Sequence, residues 1–170
     1  DNGPVVIADI DAFPLSRPAF DHLVATAQKG TLIGLSQVAN HKDPNRIYAG
    51  PMFMALPETL YSDLGAPALE RNDAQDVAQV LTDLAHKHRK PVERIPPRMA
   101  VQPKWALSNQ GMFGVGTFYG EMAFFHLFQS RKRNSVELFC AVAKGTIEGR
   151  HDFQTYLDTM APRKKRFGLF

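Results

Sequence analysis

A chain of 170 residues, 44% hydrophobic and 22% charged, fits one domain and is long enough to bury a full core, which excludes a disordered chain. No run is long enough to span a bilayer and no signal-peptide pattern opens the chain, so a soluble, cytoplasmic protein is expected. The formal charge of +3 falls to −1 when Arg163, Lys164, Lys165 and Arg166 are set aside, so the basic character is local and does not describe a uniformly basic nucleic-acid surface.

Asp1 in place of Met points to a trimmed N-terminus. Pro4 to Ile10 is a short β-branched apolar run and predicts a buried strand. Pro14 to Pro18 breaks it. From Ala19 to Lys29, apolar Phe20, Leu23, Val24 and Ala27 share one helical face, and Gly30 supplies the stop. Leu32 to Val38 predicts a second strand, parallel to the first and joined to it by a crossover helix. The polar loop from Asn40 to Asn45 follows. His41 with Asp43 suits a metal or a water, although two such residues do not make a metal site and a solvated loop is the favoured reading. Arg46 to Leu56 predicts one strand, or two hinged at Gly50-Pro51. Pro57 then opens a short helix that stops at Gly65.

The clearest helical pattern runs from Asp73 to His88, with Asn72 and Gln75 at capping-box spacing and Val77, Val80, Leu81 and Leu84 as the stripe. His86 and His88 are two apart, a poor metal pair on a helix. Pro91 to Pro103 holds four prolines and reads as a stiff connector, with Arg94 and Arg98 placed to face a phosphate or, more commonly, solvent. Residues 1–90 thus form an α/β part with a small mixed sheet, 91–103 a connector, and 104–170 a mainly helical part with a basic tail, all within one domain.

Gly111 to Gly120 is rich in glycine and aromatics. Close backbone packing is favoured there over an anion site, since no Gly-Lys-Ser/Thr follows. Helices are expected over Glu121–Ser130, Ser135–Lys144 with a stop at Gly145, and Asp152–Met160. Cys140 is expected to be a buried thiol. Arg131, Lys132 and Arg133, with Arg163, Lys164, Lys165 and Arg166, form two basic clusters suited to DNA phosphates.

Three stretches in order carry a family likeness: the strand Ile7 to Ile10, the turn Ser16-Arg17-Pro18-Ala19-Phe20-Asp21 leading to a helix that ends at Lys29-Gly30, and Arg46-Ile47-Tyr48-Ala49-Gly50. Together they resemble the opening of the ParB/sulfiredoxin superfamily over about sixty residues. Where ParB chains place Glu-Arg-Arg and sulfiredoxins Gly-Cys-His-Arg, this chain continues from Gly50 into Pro51-Met52-Phe53. The missing cysteine speaks against sulfinic-acid repair. The missing arginine speaks against ParB-type nucleotide binding.

The branch lacking both motifs that this chain resembles is the plasmid fertility-inhibition factors. That resemblance implies ATPase and DNase activity that blocks DNA export by a type IV secretion or conjugation system. ATP and Mg2+ are the implied cofactors, and DNA with a relaxase–DNA complex or coupling protein the implied partners. On that basis Arg17 and Gly50 are nucleotide-binding candidates, while Asp43, Arg46 and Glu58 are catalytic candidates. A non-enzymatic inhibitor that grips DNA or protein through the basic clusters is the alternative.

Overall fold

The opening unit folds as strand, turn, a second short strand, helix and strand, the strand at Ala12–Pro14 being one that the sequence does not predict. In this computed structural model, which describes residues 3–39, 43, 45–131 and 133–161 with the side chain of Arg133 excepted, β1 is Val5–Ala8, β2 Ala12–Pro14, α1 Arg17–Gln28 and β3 Leu32–Val38. Ser16 caps α1 by accepting the Ala19 N–H at 3.3 Å, and Gly30 at φ +94° turns the chain after it. The remaining elements are β4 (Ile47–Leu56), α2 (Glu58–Asp63), α3 (Gln79–Lys87), β5 (Val92–Ile95), β6 (Pro97–Ala100), β7 (Pro103–Ala106), β8 (Met112–Gly114), β9 (Gly116–Tyr119), β10 (Phe124–Leu127), α4 (Arg133–Glu148) and α5 (Phe153–Met160). The protein is of the α/β class.

Two four-stranded sheets share the work. The first has the order β1-β4-β3-β5, with β4 antiparallel to both neighbours and β5 parallel to β3. β1 and β3 therefore run the same way, as expected, but β4 lies between them. The second sheet, β2-β10-β9-β6, is antiparallel throughout, and β7 pairs with β8 as a separate hairpin.

The two sheets meet in one core. Ile33, Leu35 and Phe53 of the first pack with Tyr119 and Phe124 of the second, and α1 adds Leu23 and Ala27. On the other face of the first sheet, α2 and α3 bring Leu60, Leu81 and Ala85 against Leu32, Ala49 and Met54. α4 and α5 cover the second sheet through Leu138, Val142 and Tyr156 against Phe118 and Phe125.

Several expectations are corrected. β1 is an edge strand with Val5, Val6 and Ala8 exposed, not a buried one, because β4 alone flanks it. The helix expected from Asp73 starts only at Gln79. Asn72 Oδ1 does accept the Ala74 and Gln75 N–H groups, but this closes a local turn, and Ala78 at φ +56° interrupts the chain before the helix.

The helix expected over Glu121–Ser130 is β10. Gly120 and Met122 hold positive φ and turn the chain from β9, and Phe124 to Leu127 are all buried. A short apolar run buried on both faces has the same composition in a helix or a strand.

α4 runs through Gly145 and ends at Gly149, where φ is +65°. The part after residue 103 therefore begins with strands, and its helix comes from α4 and α5. The proline-rich stretch is not a bare connector. It carries β5 in one sheet and β6 in the other, with Pro97 and Pro103 as the first residues of their strands, where a missing N–H is tolerated.

Candidate functional site

A cleft forms where the turn after β1, the middle of β4, the segment before α3 and the end of β10 converge. The Asp9 N–H donates to the Met52 carbonyl at 2.9 Å, and the Asp9 carbonyl accepts the Ala12 N–H at 3.2 Å, which closes a tight turn. Ile10, at the tip, is 98% exposed. The turn leaves Asp9 and Asp11 together on the cleft side.

The floor comes from an irregularity in β4. Its pairing with β3 jumps from Gly34↔Met54 to Leu35↔Gly50, so residues 51–53 bulge from the ladder and Pro51 and Met52 face the cleft. The cavity has a volume of about 260 Å³, and its polar walls include Asp9, Asp11, Gln37, Tyr48, Asp76 and His126.

His126 stands opposite Ala12 in the β10–β2 pair and is 6% exposed. Its Nε2 lies 3.6 Å from Asp11 Oδ1, its ring packs edge-on to Phe128, and its Nδ1 has no hydrogen-bond partner among the described residues. The Leu127 N–H donates to the Asp11 carbonyl at 3.0 Å, which ties the turn to β10. The His126 imidazole beside it holds the Asp11 carboxyl below the usual carboxylate range, against the opposing effect of burial. Tyr48 Oη donates to Asp76 Oδ2 at 3.2 Å, and burial together with the Asp76 charge pushes the phenol up, so Tyr48 stays protonated. Gln37 Oε1 has no hydrogen-bond partner among the described residues.

The donor atoms of Asp9, Asp11 and His126 all lie within 4.8 Å of one another. Adjacent oxygen ligands of an octahedral Mg2+ stand about 3 Å apart and opposite ones about 4 Å, given ligand distances of about 2.1 Å. The three residues therefore fit one divalent cation after a small contraction. Two carboxylates suit Mg2+, and the imidazole extends the fit to Mn2+ and similar ions.

Among the described residues, none of the site residues expected from the sequence lines this cleft. Arg17, the first residue of α1, has its side chain 82% exposed and pairs with Asp21 at 2.7 Å. Asp43 is exposed and accepts the Asn45 N–H at 3.0 Å in a local turn. Arg46 makes a bidentate contact to Asp83, at 2.5 and 3.2 Å, that straps β4 to α3. Glu58 opens α2 and lines a different cavity, beside Gln28 and Thr59.

Gly50 is not at a phosphate-binding turn. It is buried inside β4, where a Cβ would collide with Met52 Sδ and lie 2.8 Å from Gln37 Cβ. The glycines at 114 and 116 likewise serve close packing, since a Cβ on Gly114 would overlap the Gln102 carbonyl and one on Gly116 would lie 2.6 Å from Leu138 Cδ2. Cys140 is exposed on α4, which corrects its expected burial. Arg131 is exposed after β10. His41, Lys132, Arg163, Lys164, Lys165 and Arg166 lie outside the described residues, as does the side chain of Arg133.

Asp9, Asp11, Asp76 and His126 were not singled out by the sequence. A carboxylate pair two residues apart directly after an apolar strand was the available signal for Asp9 and Asp11. For His126 there was none, because only the β10–β2 pairing brings it 3.6 Å from a residue so distant in the chain. Fold and site together define an α/β protein with an acidic, histidine-walled cleft at the junction of two sheets. No protein-family model, no curated protein and no solved structure matches the chain.

Proposed function

We propose that this protein is a fertility-inhibition factor with cation-dependent ATPase and DNase activity, acting in the cytoplasm to block DNA transfer by a type IV secretion or conjugation system. The family resemblance of its opening residues supports the biological role, with DNA and a relaxase–DNA complex or coupling protein as partners. The observation that carries the chemistry is the convergence of Asp9, Asp11 and His126 within 4.8 Å. A bound Mg2+ or Mn2+ would neutralise phosphate oxygens and lower the pKa of a bound water. Asp9 and Asp11 would hold the ion through carboxylate oxygens, with the His126 imidazole as a third ligand. Asp76, fixed by Tyr48 and by the Val77 N–H at 2.9 Å, is the carboxylate left to take the proton as water attacks phosphorus and the bond to the leaving oxygen breaks.

The test is Mn2+ binding by calorimetry, with phosphate release from ATP and cleavage of linear DNA followed in parallel. Asp11→Asn is expected to weaken Mn2+ by about tenfold or more and to abolish both activities, as is chelation with EDTA. Arg46→Ala should lower stability but leave Mn2+ affinity intact. Turnover that persists in EDTA or in Asp11→Asn sinks this site. The exposure of Arg131 favours a second reading, a non-enzymatic inhibitor that grips DNA or a secretion protein through the clusters at 131–133 and 163–166. It predicts salt-sensitive DNA binding without turnover.

A further inference from the structure

A second cavity, of about 490 Å³, opens where the chain passes from one sheet to the other, and its size falls in the range of about 300–1,000 Å³ usual for small-molecule sites. Pro96 makes that passage, between β5 and β6. The Gly120 N–H donates to the Pro96 carbonyl at 2.8 Å and so anchors the bend to the end of β9. Arg94 and Arg98 flank the bend, and both line the cavity.

Across from them the turn after β7 presents Asn109 and Gln110. That turn is held by the Leu107 N–H to the Gly111 carbonyl at 2.9 Å and by the Gln110 N–H to the Leu107 carbonyl at 2.8 Å. Gln110 Oε1 accepts the Ser36 hydroxyl at 3.2 Å, which leaves its amide N–H groups to donate. One N–H of Arg94 is bound to the Ile47 carbonyl at 3.0 Å, which orients the guanidinium, and its other side-chain donors have no partner among the described residues. Among the described residues neither arginine has a carboxylate partner, and Glu121 is the single acid on the wall.

We propose that this cavity binds a phosphate monoester, with Arg94 and Arg98 as the charged clamp on the phosphate oxygens. Guanidinium forks match phosphate geometry, and the excess of N–H donors over acceptors selects a ligand rich in acceptor oxygens. Glu121 takes a hydroxyl of the esterified part and sets a limit on total ligand charge. The cavity shares no lining residue with the Asp9–Asp11–His126 cleft, so the two sites stand or fall separately.

Inorganic phosphate is the probe, titrated into the full chain at constant ionic strength and followed by calorimetry and phosphorus NMR. Saturable binding is expected. Arg98→Gln, at an exposed position with no side-chain hydrogen bond or ion pair among the described residues, should weaken it by about tenfold or more, as the loss of a charge-assisted contact requires. Glu121→Gln should tighten it by removing the opposing charge, and Arg98→Gln should leave Mn2+ affinity unchanged. Phosphate that acts no differently from chloride at equal ionic strength overturns the proposal. So does binding that Arg98→Gln leaves unaltered while its thermal melt matches the parent.

Discussion

Protonation balances at single residues are set by which partners the fold supplies. Asp11 has its pKa lowered, so the stability it contributes is present above the unfolded value of about 3.9 and is lost as pH falls through the lower folded value. His151 has its pKa lowered by burial beside Tyr156, whose Oη lies 2.8 Å from Nδ1. The folded state therefore disfavours the charged ring, and stability must fall as pH drops through the unfolded value of about 6.5. Thermal melts at about pH 7.5 and about pH 5.5, on either side of that value, should show the loss. His151→Gln should lack that component of it. An identical pH response in the variant would remove His151 from the account.

Elements in this fold are placed by positions that tolerate no side chain. Gly114 lies against the Gln102 carbonyl and Gly145 lets Tyr156 Oη come within 2.5 Å of where a Cβ would stand, which seats α5 on α4. Because the neighbour at Gly114 is backbone, it has no rotamer to move aside. Gly114→Ala is expected to cost at least about 1–3 kcal/mol, the usual range for overpacking. Gly3→Ala is the control, since a Cβ there meets nothing within 4 Å. Denaturant midpoints of the two variants decide the point, and equal midpoints would contradict the packing. The bulge at 51–53 works by the same logic, since it is the irregular backbone that turns Pro51 and Met52 toward the cleft.

Across the molecule, the two sheets behave as one body because their inner faces share aromatic side chains. Phe124 of the second sheet lies 5.2 Å from Phe53 of the first, centroid to centroid, in the cluster that also takes Leu23 from α1. Phe124→Ala should cost about 3–5 kcal/mol and lower a single unfolding transition. Trp105, the only tryptophan, packs on Phe113 and Phe128 in the cluster that includes Val38 of β3. Its fluorescence should therefore change together with the backbone circular dichroism. Two separated transitions would show that the sheets unfold independently. Among the described residues no helix is long and apolar enough to cross a membrane.

Local signals carried the elements whose ends are marked by caps and glycines. The body of α1 up to Gly30, β3 over Leu32–Val38, β4 up to Leu56, α2 before Gly65 and α5 after Asp152 all follow from propensity and turn chemistry within a few neighbouring residues, although α1 begins at Arg17, two residues before the expected start. The α/β class was legible for the same reason. Where burial on both faces erased the periodicity, as in Phe124–Leu127, strand and helix could not be told apart. The candidate site was less legible still. Asp9 and Asp11 stand two apart but drew no notice as a pair, their partner His126 comes from β10, and Asp76 comes from the turn before α3. The sequence alone determined which segments were strands and helices where capping and period agreed. Only the tertiary structure decided which charges meet, because sheet pairing brings together residues that no local pattern relates.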